Sequence, residues 1–388
     1  VNMSSYTRPE IVEQHNREWV EYGEDNNYFQ YLIDRYNGSA TNNASINGIV
    51  EMIYGKGIEA VEEDAKGKEY KEMKELLTKS CMKKICYDYK MMGQAALQVI
   101  YSKDRKKIVQ IEHIPVETLR AEKANSKGEI QGFYYSKDWS GVTFKTQPKR
   151  IPAFGSSNSG LEILYIKPYR AGFYYYSPVD YQGGLQYAEL EEEMANYHIN
   201  NIQNGLAPSM LINFNNGVPT EEQRSLIESN IQQKFSGSSN AGRFILAFND
   251  SKELSASIEP VILSDAHEQY KFLSDESMKK IMVSHRIISP MLVGIKDNSG
   301  LGNNADELKT ASLLMDNTVI RPMQVTILDE LEKVLMYNGI ELDVYFKTLQ
   351  PLEFTDLTNT LTDAEVEKET GIKKEDGEVI EEESINIE

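Results

Sequence analysis

DAHEQYKFLSDESMKKIMVSHRIISPMLVGIKDNSGLGNNADELKTASLLMDNTVIRPMQ, residues 265–324, is the stretch whose reading decides the fold. It opens on a helix capped by Ser264 and running to about Arg286. Asp265 and Glu268 stand at its start and Lys279, Lys280 and Arg286 near its end, the order that complements a helix dipole. A long loop follows at 287–304. Next comes the longest helix of the chain, from about Ala305 to Tyr337, which spans roughly 50 Å at 1.5 Å per residue. Pro322 lies inside it, has no N–H to donate, and is expected to kink it near Thr318. Gly339 closes it. The plain reading of the loop is a flexible connector. A connector of this length between two long helices, carrying Lys296 and Asp297, can also be functional.

Upstream of this stretch lies a β–α–β unit. PSMLINF (208–214) and RFILAFN (243–249) read as strands, and Thr220 with Gln223 forms a capping box for a helix to about Phe235. Before it, Ser177-Pro178 reads as a helix start, with Ser177 as N-cap, Pro178 at the first position and Asp180 completing a box-like pair. That helix is predicted to reach Asn204, with Tyr187, Leu190, Met194 and Tyr197 on one apolar stripe. Between 95 and 170 the period changes to two. AALQVIY (95–101) and IVQIEHI (108–114) form a strand pair across a polar, basic loop, IQGFYYS (130–136), GVTFK (141–145) and LEILYIK (161–167) add strands, and 146–160 is turn-rich. Residues 1–60 read mainly as helix, above all 28–54, stopped by Gly55 and Gly57; a second helix runs from about Glu69 to Met92. Downstream, 341–354 suggests a last strand and turn. From Asn359 onward 11 acids face three bases with little periodicity, the pattern of a mobile or partner-bound tail. The whole is an α+β chain of several modules.

At 388 residues the chain has room for two or three domains, and 40% hydrophobic residues can bury a sizeable core. Sixty acids against 41 bases give a net charge of −19. Such a surface argues against tight non-specific DNA binding, which needs Lys and Arg to displace phosphate counterions. It leaves room for a protein that DNA must slide past. Cys81 and Cys86 are the two cysteines and sit in one predicted helix, so a disulfide framework is not expected and a reducing compartment such as the cytoplasm fits. No apolar run approaches the roughly 20 residues that span a bilayer, and no signal-peptide pattern opens the sequence. It opens on Val1, from which a start inside a longer protein is expected.

Searches for chemistry mostly fail. The five histidines, at 15, 113, 198, 267 and 285, are scattered, with no HExxH pattern; His285 reads as a hydrogen-bonded structural residue. There is no G-x-S-x-G elbow, and the cysteines lack metal-site spacing. Gly300-Leu301-Gly302 lacks the Lys-Ser/Thr of a phosphate loop. As a calcium loop counted from Asp297 it places Leu301 and Leu308 where oxygen ligands are needed. Glu189, Glu191, Glu192 and Glu193 offer carboxylates for a divalent metal, but their place in the first half of a helix favours a solvated face. Lys103, Arg105, Lys106 and Lys107 read as a solvated hairpin tip before a phosphate contact. The residues alone describe a non-enzymatic assembly protein with no cofactor and no metal.

An ordered set of motifs resembles the portal family of tailed phages, in particular short portals of the siphophage type. It comprises YYYSPVDYQGG (174–184), NNIQNGLAPSMLINF (200–214), GVPTEEQRSLIESNIQQKFSGSSNAGRFILAF (217–248), DAHEQYKFLSDESMKKIMVSHRIISPMLVGI (265–295) and GLGNNADELKTASLLMDNTVIRPMQ (300–324). YGEDNNYFQYLIDRYNGSATNNASINGIVEMIYGKG (22–57) is similar to the start of such portals, so the resemblance covers roughly 20–350. It implies a portal fold: a wing over 1–182, a stem of two helices at 183–204 and 264–287, and a small α/β clip at 205–263 between them. A tunnel loop at 288–304, a long Pro-kinked wing helix at 305–340 and a crown remnant with acidic tail at 341–388 complete it.

The same resemblance implies a dodecameric ring at one capsid vertex of the virion, made in the host cytoplasm, through which double-stranded DNA is packaged and ejected. Its partners would be the large terminase, the major capsid protein and a head–tail adaptor, with no membrane. Lys296, Asp297, Asn298, Ser299, Asn303 and Asn304 would be tunnel-loop candidates, with Lys296 the best placed to touch phosphate. Glu189, Glu191, Glu192 and Glu193 would give an acidic stem face, Glu221, Glu222, Arg224 and Lys234 a clip docking surface, and Pro322 the kink. The competing readings are a capsid-associated scaffold or adaptor without a channel, and a metal-dependent nuclease built on the Glu189–Glu193 cluster.

Overall fold

The computed structural model describes residues 9–143, 145–203, 210–214, 219–235, 244–248, 266–295 and 304–349. It begins with a hairpin, β1 (Ile11–Glu13) against β2 (Val20–Tyr22), and not with the helix expected before residue 28. The cause is tertiary: Val20 and Tyr22 are fully buried, and Tyr22 stacks on Tyr176 at 4.4 Å and meets Phe29 edge-on at 5.2 Å. The predicted 28–54 helix is two, α1 (Tyr28–Gly38) and α2 (Ala40–Tyr54), because Ser39 turns extended and accepts a hydrogen bond from Asn42 N as the N-cap of the second. After α2 comes β3 (Ile58–Ala60). The predicted second helix is also split, into α3 (Gly67–Leu76) and α4 (Lys79–Met92), with Thr78 capping Cys81 N. Gly93 ends α4 at φ +75°, where a Cβ would lie 2.8 Å from Ser177 O, so the position needs glycine on both counts.

The middle of the chain makes two three-stranded antiparallel sheets. Strands β4 (Ala95–Tyr101), β5 (Ile108–His113) and β9 (Leu161–Ile166) form the first, ordered β5-β4-β9 with Leu97 opposite both His113 and Leu164. Strands β6 (Leu119–Ala121), β7 (Gly132–Tyr135) and β8 (Lys149–Pro152) form the second. Here the expectation needs correction. Among the described residues 141–145 hold no strand, and the turn-rich stretch holds β8. Thr143 and Thr146 instead bond to each other and fold the segment into a turn.

Helix α5 (Leu185–Gln203) starts seven residues later than the Pro178 start suggested by Ser177-Pro178. Tyr175, Tyr176, Val179 and Tyr181 are all buried, and the Ser177 amide donates to Gln94 Oε1 at 2.9 Å, so 175–181 threads the core as irregular chain. Strands β10 (Met210–Phe214) and β11 (Phe244–Phe248) pair in parallel around α6 (Glu221–Phe235), the β–α–β unit read from the sequence. Then come α7 (Ala266–Ser284), α8 (Asn304–Met315), α9 (Arg321–Tyr337) and β12 (Val344–Phe346), which pairs antiparallel with β3.

The regular α-helix is interrupted where Pro322 leads one to expect a kink, near Thr318. Residues 316–320 between α8 and α9 are π-helical. Pro322 cannot donate to the carbonyl four residues back and its ring crowds it, so the helix widens there. Thr318 Oγ1 donates to Leu314 O at 2.7 Å, and Arg321 holds Asp316 at 2.8 Å across the wide turn.

Two cores result. One packs α2, α3 and α4 against β4 and α9 through Ile53, Met73, Ile85, Leu97, Ile327 and Leu331. The other gathers β2, α1 and the β6–β7–β8 sheet around Tyr22, Phe29, Phe133, Tyr176 and Tyr181. Cys81 and Cys86 are free, buried thiols. No helix among the described residues is long and apolar enough to cross a membrane.

Candidate functional site

Helices α5 and α7 lie side by side and antiparallel. Gly184, just before α5, abuts Ser284 at the end of α7, while Tyr197 late in α5 stacks on Tyr270 early in α7 at 4.9 Å. A Cβ at Gly184 would overlap the Ser284 side chain, so the two helices approach closely at this end. At about 28 Å each, they project from a buried polar foot.

Lys90 of α4 forms the centre of the foot. It is wholly buried, and its Nζ donates to both Asp180 oxygens, at 2.8 and 3.0 Å, while sitting 5.1 Å over the Tyr181 ring. Burial pulls its pKa below the usual lysine value, and Asp180 opposes that pull. His285, directly after α7, is also fully buried. Its Nε2–H donates to Asn42 Oδ1 at 2.8 Å and its ring stacks on Tyr181 at 4.3 Å. Burial, with the Lys90 charge adding to it, holds its pKa well below 6.5, so the imidazole is neutral, and its hydrogen bond is that of the structural residue read from the sequence. Folded protein therefore binds fewer protons than unfolded chain once the pH falls below the ordinary histidine value. Stability contributed by this group is present above pH 6.5 and lost below it, at about 1.4 kcal/mol per pH unit. The denaturant midpoint should fall between pH 6.5 and 5.5 in the wild type and fall less in His285→Gln; equal slopes would contradict this.

The acid run of α5 completes the foot, and its reading as a solvated face is corrected. Glu189 is buried and lies 3.6 Å from Arg35 Nη1, and Glu192 lies 3.1 Å from Arg35 Nη2. Glu191 accepts from Thr41 Oγ1 at 2.8 Å, from Thr41 N at 3.2 Å and from the Ser39 hydroxyl, so it caps α2 from outside. Glu193 is half-buried. With donors of α1 and α2 occupying three of them, these carboxylates do not converge on an open point as a metal-dependent nuclease would need. No group of three or more His, Cys, Asp or Glu among the described residues could hold a metal.

Of the other sequence candidates, Lys296, Asp297, Asn298, Ser299 and Asn303 lie outside the described residues, and Asn304 opens α8. The flank before them is a 3-10 turn, Pro290–Val293, seated on Gly48 of α2, where a Cβ would meet Val293 Cγ1 at 2.9 Å. Glu221, Glu222 and Arg224 are exposed on α6, which also carries Lys234. The basic hairpin tip is less solvated than expected: Arg105 pairs with the buried Glu162 at 2.7 Å, reaches Ser159 O and stacks on Tyr101 at 4.2 Å. Nothing in the sequence marks Arg35, Lys90 and Asp180 for these roles, because no spacing rule ties any of them to its partner.

No family model matches the chain, and no curated protein matches it. Solved structures do. A chain of the neck of a native gene transfer agent particle, computed with C12 symmetry, is 15% identical at a TM-score of 0.54, over 94% of this chain and 91% of that one. A chain of the neck of an empty particle of this kind, computed with C6 symmetry, is 14% identical at 0.55, over 89% and 93%. A chain of the virion of the native particle is 14% identical at 0.54, over 89% and 93%. This chain shares their α+β fold across nearly its full length.

Proposed function

We propose that this chain is the subunit of a portal ring in a phage-like particle, a channel at one vertex through which double-stranded DNA is packaged and ejected. The observation that carries the reading is an antiparallel helix pair with a separate β–α–β unit between its members and a long helix interrupted by a wide turn after it, in a chain alike over nine-tenths of its length to a chain of a C12-symmetric neck. On this reading α5 and α7 are the stem, the β10–α6–β11 unit is the clip that meets terminase and adaptor, and α8 and α9 cross the wing. Residues 288–304 narrow the channel, with Lys296 near the DNA.

The mechanism is electrostatic. Each copy brings a net charge of −19. Carboxylates along a channel repel phosphate, which keeps the duplex centred and lowers friction. Cohesion between copies then rests on apolar and locally complementary contacts working against net repulsion. The chain itself turns over no ATP.

End-on averages of the purified protein by electron microscopy should show a ring with a central hole. A monomer, or a particle without a hole, overturns the proposal. Native mass spectrometry should find the rings more persistent at moderate than at very low ionic strength, because salt screens the repulsion. Rings that only come apart as salt rises would count against it.

A further inference from the structure

Beside the foot, a cavity of about 220 Å³ opens to the surface between the end of α7, the start of α9 and the chain before α5. Its walls are apolar, from Tyr89, Pro178, Pro322 and Met323. Its charged groups are Arg170, Arg286 and Asp180. Asp180 supplies one negative charge against three cations, Arg170, Arg286 and the buried Lys90, which bonds both of its oxygens from behind. Arg286 reaches it only at 3.7 Å and stays half exposed. Arg170 is exposed on a tight turn, where Phe173 N donates to Arg170 O, and its guanidinium has no hydrogen bond or ion pair among the described residues. A chain with a strong acidic excess therefore holds a small concave site with two positive charges in excess.

Arg286 carries a second sign. It stands at φ +58° just past α7, and Ile287 N donates to Met282 O in the manner of a glycine-closed helix end. A non-glycine residue there is disfavoured by roughly 1 kcal/mol. The backbone gains nothing from arginine, so the reason for it lies in the side chain. Val325, 54% exposed, follows the pocket-lining Pro322 by three residues on α9 and so shares its face. Val283, 70% exposed, lies on the last turn of α7, the helix end that carries Arg286. Apolar residues around a polar anchor point are the make-up of a protein contact.

We propose that this pocket receives an Asp or Glu carboxylate from a second copy of the chain, held by the Arg170 and Arg286 guanidiniums. A charge of −19 per copy supplies the ligand and explains the need for a basic socket where like-charged subunits must meet. The proposal rests on the ring reading above.

The test uses the full chain. Arg286→Gly relieves the strained backbone, so the isolated subunit should melt no lower than wild type. The concentration for half-assembly should nevertheless rise about 10-fold or more, as should that of Arg170→Glu. A third variant, Arg170→Lys, is assembled into rings from isotopically light and heavy chains and treated with a water-soluble carbodiimide. The amine introduced at position 170 should form an amide with an Asp or Glu of another copy. Failure of wild type to form rings removes the ring reading. Wild-type rings with unchanged assembly in the Gly and Glu variants, and an introduced amine linked to its own Asp180 or to nothing, remove this inference alone. Rings of unchanged stability that hold duplex DNA less well would assign the pocket to backbone phosphate and equally overturn it.

Discussion

Asp180→Ala should lower the stability of the protein by about 3–5 kcal/mol, the cost of stranding one partner of a buried ion pair. Lys90 has no exposed surface and has Asp180 as its ion-pair partner, at 2.8 Å. Without that carboxylate the ammonium must stay charged in a site that excludes water, deprotonate, or force the foot open. The attraction and desolvation of such a pair nearly cancel, so replacing both ends by apolar groups should cost far less. Lys90→Met with Asp180→Leu should recover most of the loss in urea unfolding. A single Asp180→Ala within about 1 kcal/mol of wild type would mean that the pair does not hold the foot.

The second large effect is at Arg120. This side chain is fully buried and acts as a bracket for the loop before α1. Its Nη2 donates to Asn26 O at 2.8 Å and its Nε to Asn26 Oδ1, while Nη1 donates to Glu117 O at 2.9 Å and Leu119 O at 2.8 Å. Its guanidinium lies over Trp139 at 4.8 Å and Phe29 at 5.1 Å. Burial pushes its pKa down to about 10, which leaves it charged at neutral pH. The loop it braces is strained, with Asp25 at φ +53° and Asn26 at φ +62°. Arg120→Ala removes the donors of several buried carbonyls and opens a cavity, an expected loss of about 3–5 kcal/mol. Limited proteolysis should then cut near residues 23–27. Arg120→Lys keeps the charge but not the planar fork and should rescue only a minor part. Rescue to wild-type stability by lysine would show that charge alone matters.

Periodic features were legible in the sequence. The β–α–β unit, the α7 helix, the strands β4, β5 and β9 and the break before Pro322 all follow from local patterns, a hydrophobic period or a residue that cannot donate. Ser177-Pro178 failed because its local capping signal competes with four buried side chains around it, and burial wins. The same holds for β2, whose three residues are too few to show a period and are fixed by Tyr176 far along the chain. The glutamates of α5 were legible as a cluster but not in their role. Their partners Arg35, Ser39 and Thr41 lie some 150 residues away, and no spacing rule reaches that far.

Between Met315 and Met323 it is helical phase, more than residue identity, that the core constrains. Ala311, Met315, Val319, Met323, Ile327, Leu331 and Leu335 are all buried and recur every four residues. A uniform helix gains about 40° of phase at each such step, which would wind the apolar seam away from the body it must cover. The wide turn at 316–320 takes up a surplus residue and resets roughly 100° of that winding. Removing one residue here would turn the wide turn into ordinary helix and leave Ile327 and Leu331 facing the core, whereas removing one between Met323 and Ile327 would swing both by roughly 100° toward solvent.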